Sequence, residues 1–169
     1  MNNPLSSIDV MKLVQAESLS ETEIKEVFEI WNKVYPKQIA YKDLSGLEST
    51  LDTYKNPTHF MIKNAEQMMG WCCVFDRQDA RWFALIIDGE HQCLGLGTRL
   101  LNIAKDHETE LFGWMTPREN YVKTDGSVYR SPQNFYIKHG FVITEESFET
   151  EVLYTVKIAW KKRVESWKG

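Results

Sequence analysis

Trp82-Phe83-Ala84-Leu85-Ile86-Ile87 runs into Asp88-Gly89-Glu90-His91 and then into Gln92-Cys93-Leu94-Gly95-Leu96-Gly97-Thr98-Arg99-Leu100. The first segment is the longest purely apolar stretch of the chain and reads as a buried strand. The last opens a helix reaching about Glu108, with Leu96, Leu100, Ile103, Ala104 and His107 recurring on one side. A helix start presents unpaired backbone N–H groups and the positive end of the helix dipole. Gly95 and Gly97 carry no Cβ to hold an anion away from those groups. Thr98 adds a hydroxyl, and no acidic side chain occupies the first turn. A pyrophosphate fits such a turn without any lysine. By itself the pattern suits a packing turn as well as an anion site.

Two better-known phosphate turns are excluded. Leu100 stands where a dinucleotide-binding fingerprint needs its third glycine, and the segments upstream do not form a βαβ unit. No Gly-Lys-Ser/Thr follows, as a Walker P-loop requires.

Working outward, residues 59–63, 69–75 and 80–87 read as three strands joined by Asn64-Ala65-Glu66-Gln67 and Asp76-Arg77-Gln78-Asp79, an antiparallel meander. Before them, residues 8–14 form a first strand. A helix then starts at Ser20, where Glu23 completes a capping box and Leu19 and Ile24 form a hydrophobic staple. Its apolar face is Ile24, Val27, Phe28, Trp31 and Val34, and Tyr35-Pro36 ends it. Leu44, Leu47, Leu51 and Tyr54 mark a second helix, stopped by Asn56-Pro57.

After the Gly-rich turn and its helix, residues 111–115 make a short strand. Residues 116–130 form a polar connection, long for a compact fold. Ser131 caps a short helix with Pro132 at its first position, and Gly140 stops it. Residues 141–144 and 151–159 complete a hairpin. The order is β-α-α-β-β-β-α-β-α-β-β, an α/β (α+β) fold with a mixed, mostly antiparallel sheet of about seven strands and about four helices on both faces. The chain is expected to be one domain over 1–169 with its core at about 8–160.

At 169 residues with 43% hydrophobic and 26% charged residues, the composition is globular. No apolar run approaches the roughly 20 residues needed to span a bilayer, and the N-terminus lacks a secretory pattern. A cytoplasmic protein without a membrane role is expected. The net charge of −4 disfavours nucleic acid as a partner. Three cysteines form no CxxC pair, and adjacent Cys72 and Cys73 point to opposite strand faces, so neither disulfide nor metal chemistry is expected. His59, His107 and His139 have no ligand-spaced partner. His107 is expected in the buried helix stripe and His139 at a helix C-terminus.

The second junction, Asn134-Phe135-Tyr136-Ile137-Lys138-His139-Gly140-Phe141, is a helix end, a glycine cap and a strand start. Together the two junctions resemble the GNAT acetyltransferases. Gln92, Gly95 and Gly97 match that family's Gln/Arg-x-x-Gly-x-Gly/Ala motif. Phe135, Tyr136, Gly140 and Phe141 match its Phe/Leu-Tyr-x-x-x-Gly-Phe motif, in the same order and with one strand between. The resemblance spans roughly residues 8–160. Tyr129 and Pro132 depart from it, standing where many members carry Asn and Ala, so Ser131 or Tyr129 is expected to replace the usual side-chain contact to pantetheine.

The resemblance implies acetyl-CoA as co-substrate, no metal, and direct attack of an amine on the thioester in a ternary complex. It implies that Ile86 and Ile87 pair their backbone with pantetheine, with the Ile87 N–H polarising the thioester carbonyl. It further implies that Gln92, Cys93, Leu94, Gly95, Leu96, Gly97 and Thr98 hold the pyrophosphate. Tyr136 matches the family's proton donor to the departing thiolate; a phenol with a reference pKa of about 10 suits that task. Glu90 and Asp88, at the mouth of the site, are candidates for taking a proton from the amine, directly or through water. Trp114 is placed where such sheets splay open.

The acceptor is expected to be a small-molecule amine. The acidic Glu145, Glu146, Glu149 and Glu151 are compatible with a cationic one. A protein or peptide N-acetyltransferase and a silent acyl-CoA-binding module are the alternatives, and a roofed pocket favours the small molecule. A monomer or homodimer fits the sequence equally.

Overall fold

The computed structural model describes residues 11–164. The expected element order holds: β1 (Met11–Ala16), α1 (Glu21–Val34), α2 (Leu44–Asp52), β2 (Lys55–Asn64), β3 (Gln67–Arg77), β4 (Ala80–Ile87), α3 (Leu96–Asp106), β5 (Glu110–Met115), α4 (Gln133–Lys138), β6 (Val142–Glu149) and β7 (Tyr154–Lys161). The strands form one seven-stranded sheet in the order β1-β2-β3-β4-β5-β7-β6. Every neighbouring pair is antiparallel except β4 and β5, which the α3 crossover leaves parallel.

Period-2 alternation sorts the central strands between two apolar layers. Phe60, Ile62, Cys72 and Phe83 face α3 and α4, where Leu100, Leu101, Ala104 and Tyr136 meet them. Met61, Trp71, Cys73 and Trp82 face α1 and α2, against Val27, Ile30 and Leu47. Cys72 and Cys73 thus divide between the two layers as expected. Burial pushes the Cys72 thiol up to about 12, which keeps it protonated and unreactive.

The first helix is built as its sequence says. The Ser20 hydroxyl accepts from the Glu23 N–H at 3.1 Å, and the Glu23 carboxylate accepts from the Ser20 N–H at 2.8 Å.

Boundaries moved where local signals were ambiguous. Residues 8–10 of the expected first strand lie outside the described residues, and β1 continues to Ala16. The second helix stops at Asp52, so Tyr54 is not helical; its ring instead stacks on Phe75 with centroids 3.6 Å apart. Asn56-Pro57, expected as a stop, lies inside β2, where Asn56 at φ +46° marks a register irregularity that tolerates proline. The last hairpin turns later than expected, because Glu145, Glu146 and Glu149 belong to β6, a sheet edge that carries charge readily.

Pro132 stands at the cap of α4 rather than at its first helical position, while the Ser131 hydroxyl still accepts from the Gln133 N–H at 3.2 Å. His107 is exposed at the end of α3, bonding the Ile103 carbonyl at 3.0 Å, and Leu101 takes the buried place.

Candidate active site

The parallel junction is where the sheet parts. β4 and β5 share one ladder pair, Trp82 with Phe112, and diverge beyond it. Asp88 donates its N–H to the Met69 carbonyl of β3 at 2.9 Å, so the residues alternating with it, Ile86 and Ala84, also turn their backbone toward β3. Leu85 and Ile87 therefore present theirs to the gap. The Tyr35 hydroxyl donates to the Leu85 carbonyl across it at 3.3 Å, and Gln92 Nε2 donates to the Ile87 carbonyl at 3.3 Å. This corrects one expectation: Leu85, not Ile86, accompanies Ile87 as the free backbone edge. Ile86 contributes only its side chain to the α1–α2 layer.

A cavity of about 1050 Å³ occupies the parting and is lined from both faces of the sheet. On the α3 side lies the glycine turn. A short 3-10 turn over Gly89–His91 leads to Cys93 and Gly95, both left-handed at φ +70° and +78°. The first helical bond runs from the Arg99 N–H to the Gly95 carbonyl, which leaves the N–H groups of Leu96, Gly97 and Thr98 without intrahelical acceptors.

The two glycines serve different ends. A Cβ on Gly95 would meet nothing within 4 Å, so its backbone angle and its openness are what matter. A Cβ on Gly97 would lie 3.3 Å from Phe135 Cζ, so Gly97 lets α3 close on α4. The Thr98 hydroxyl is already engaged, 3.0 Å from His139 Nε2. Burial, then Lys105 and Lys138, lower the His139 pKa and favour its neutral form. A backbone cradle open to an anion is therefore present, with Thr98 shared.

Tyr136 comes from α4 and packs its ring on Phe83, Phe135 and Phe141 at centroid distances of 5.8, 5.2 and 5.4 Å. Burial raises its pKa, so the phenol holds its proton at neutral pH. Ser131 sits against Met115 at the end of β5, its hydroxyl 3.7 Å from the sulfur. Ile86, Ile87, Gln92, Cys93, Gly95, Leu96, Gly97, Thr98, Ser131 and Tyr136 all line the one cavity.

Leu94, Asp88 and Glu90 do not line it. Leu94 is exposed, and so is Glu90 on the 3-10 turn. Asp88 is buried, with a carboxylate oxygen 3.4 Å from His91 Nδ1 yet out of hydrogen-bonding alignment. Neither carboxylate is on the cavity wall, while His91 and Gln92, which follow Glu90, are; a proton taken by either carboxylate would pass through water.

The α1–α2 side was not foreseen in detail. Trp31, Tyr35, Tyr41, Tyr54, Trp82 and Trp114 line it. Trp31 is fixed by its N–H to the Ile39 carbonyl at 2.9 Å, and Tyr41 by its hydroxyl to Thr50 at 3.0 Å. Trp114, 44% exposed, stacks on Trp82 at 5.7 Å, as its place by the parting suggested. Arg77, which looked like a turn residue, also lines the cavity.

Residues 116–130 are mostly exposed, pinned to the protein by a few buried side chains. Tyr121 and Tyr129 are buried, Val122 bridges Val128 locally, and the Tyr121 hydroxyl accepts from the Tyr154 N–H at 2.8 Å. No spacing rule predicts the last of these contacts, which joins residues 33 apart. No Asp or Glu lines this cavity, while Glu145 and Glu146 line an adjoining one that shares Trp82 and Trp114 with it. Glu146 pairs with Lys157 at 2.5 Å and Glu149 with Arg118 at 3.5 Å on the outer hairpin.

A family model described as an acetyltransferase (GNAT) domain matches residues 55–143, just over half of the chain. Among solved structures, an acyl-CoA N-acyltransferase from Pseudomonas aeruginosa is 13% identical with a TM-score of 0.66, over 89% of this chain and 99% of that one. An aminoglycoside 6'-N-acetyltransferase solved with coenzyme A is 12% identical with a TM-score of 0.65, over 91% and 99%. A ribosomal-protein-S18-alanine N-acetyltransferase from Escherichia coli is 14% identical with a TM-score of 0.63, over 94% and 100%. At these identities the likeness establishes the fold. Among curated protein sequences, none shows significant similarity to this chain.

Proposed function

The chain belongs to the GNAT acetyltransferase family, and from that premise we propose that it transfers an acetyl group from acetyl-CoA to the amine of a small molecule. The observation that carries this is the continuity of one cavity from the left-handed Cys93–Gly95 cradle, along the free backbone edge of Leu85 and Ile87, to the Tyr136 phenol.

The Leu96, Gly97 and Thr98 N–H groups would take the pyrophosphate, where the helix dipole and unpaired donors favour negative charge. Pantetheine would run along β4 and complete the ladder that β5 abandons. The Ile87 N–H, aimed into the parting, would polarise the thioester carbonyl as the amine attacks. A backbone donor held in a sheet needs no reorganisation at that moment, and the apolar walls strengthen it by excluding water. The C–S bond then breaks, and the Tyr136 hydroxyl supplies a proton to the thiolate. With no carboxylate on the wall, proton loss from the amine is left to water, linked or not to a more distant base.

A small acceptor is supported by the aromatic lining of the α1–α2 side, where Trp31, Tyr41, Tyr54 and Trp114 form, with Tyr129, a pocket of small-molecule dimensions. The test is thiol release from acetyl-CoA with a panel of primary amines, read with a thiol-reactive dye. Turnover of at least one small amine, with mass-confirmed N-acetyl product, is expected. Tight acetyl-CoA binding without thiol release for any amine would leave a binding module instead.

A further inference from the structure

The cavity wall has an unbalanced charge. It contains no Asp or Glu, and its acceptor side holds the guanidinium of Arg77 at the end of β3. That group lies beside the stacked Tyr54–Phe75 pair and against Trp82, 4.9 Å from the centroid of Phe75, 5.6 Å from Trp82 and 5.7 Å from Tyr54. Aromatic contacts of this kind leave the N–H donors of a guanidinium free. No salt bridge joins Arg77 to a carboxylate among the described residues; its neighbour Asp76 is taken by Arg81 at 2.9 Å. A half-buried cation with open donors, set in aromatic walls, is a receptor for an anion, and for a planar carboxylate above all. On this wall an acceptor with several positive charges meets Arg77 and, on the far side, Arg130; the carboxylates of Glu145 and Glu146 stand beyond Trp82 and Trp114, where Lys157 pairs with Glu146.

We propose that the acceptor is a primary amine carrying a carboxylate on an apolar, preferably aromatic, body, and that Arg77 is the residue that reads the carboxylate. This rests on the transferase activity above and narrows its substrate class. The amine reaches the Ile87–Tyr136 end of the chamber while the carboxylate is held among Phe75, Tyr54 and Trp82. The competing role for Arg77 is structural: a cation that merely flanks the stacked Tyr54–Phe75 pair.

The two roles separate in matched substrate pairs. Because Trp82 lies five residues back along β4 from Ile87, the probes carry amine and carboxylate at opposite ends of the body: 4-(2-aminoethyl)benzoate is compared with phenethylamine, and 4-(aminomethyl)benzoate with benzylamine, as kcat/KM on the wild-type protein and on Arg77→Gln and Arg77→Lys. A carboxylate read by Arg77 gives a preference for the acid in at least one pair of about 30-fold, carried in KM. That preference collapses toward unity in Arg77→Gln and is partly kept in Arg77→Lys. In parallel, quenching of tryptophan fluorescence by N-acetyl-4-(2-aminoethyl)benzoate and by N-acetylphenethylamine, with CoA present, measures the same preference without turnover. Equal efficiency within both pairs, or a preference that survives Arg77→Gln, overturns the role of Arg77 while leaving acetyl transfer intact. If no amine releases thiol, the transferase activity falls, and the fluorescence arm alone decides whether Arg77 binds a carboxylate.

Discussion

The two ends of the cavity are made of different material. On the α3 side the groups that would meet the ligand are backbone: the Leu96, Gly97 and Thr98 N–H groups, the Ile87 edge, and the left-handed Cys93 and Gly95. On the α1–α2 side they are side chains: Trp31, Tyr35, Tyr54, Trp82, Trp114 and Arg77, brought from five separate segments. Backbone recognition suits a partner that does not vary, because side chains can change around it without loss. Side-chain recognition suits the partner that distinguishes one relative from another. The same molecule thus keeps its cofactor end generic and its acceptor end specific.

The largest effect that would test this division is Gly95→Val. A β-branched residue at φ +78° is strained by about 1–2 kcal/mol, and relaxation of that angle turns the helix start away from the anion. CoA affinity by calorimetry should fall at least about 100-fold, equivalent to roughly one charge-assisted hydrogen bond or two. Gly95 has open space around it, so no neighbour must move, and the backbone strain alone should lower the melting temperature by about 2–8 °C. Undiminished affinity would mean that the cradle is not built from this backbone.

Next comes Tyr136→Phe, which removes the proton donor and keeps the ring among Phe83, Phe135 and Phe141. Turnover should drop by about 10- to 100-fold, with CoA affinity held within a factor of about two. An unchanged kcat would take Tyr136 out of the chemistry and leave it as packing. The smallest effect is expected from Glu90→Gln. An exposed carboxylate outside the cavity should alter kcat/KM by less than about twofold from pH 6 to 9. A large loss confined to low pH would instead restore Glu90 as a base acting through water.

The division also accounts for what the sequence disclosed. The cradle is local: a strand, a turn with two glycines and a helix follow one another within Trp82 to Leu100, so their meaning survives in linear order. Tyr136 was legible because Gly140 and Phe141 mark the end of its helix. The fold followed from hydrophobic periodicity, and its boundaries failed where polar residues lie on an exposed strand, as in Glu145-Glu146-Ser147. Ile86 was mistaken for Leu85 because the apolar run shows no alternation when a strand is buried on both faces. The acceptor wall was legible only at Trp114. Arg77 comes against Tyr54, Phe75 and Trp82 only after β3 and β4 have paired and α2 has docked.

The lone Trp82–Phe112 rung divides the backbone ladder of the sheet into two, β1 to β4 and β5-β7-β6, while one apolar cluster holds side chains of both. On the proposed function, a ligand seated along Leu85 and Ile87 would supply rungs that the polypeptide omits, and so would serve as a removable strand of the fold. Its release would then resemble the fraying of an edge strand more than the emptying of a pocket.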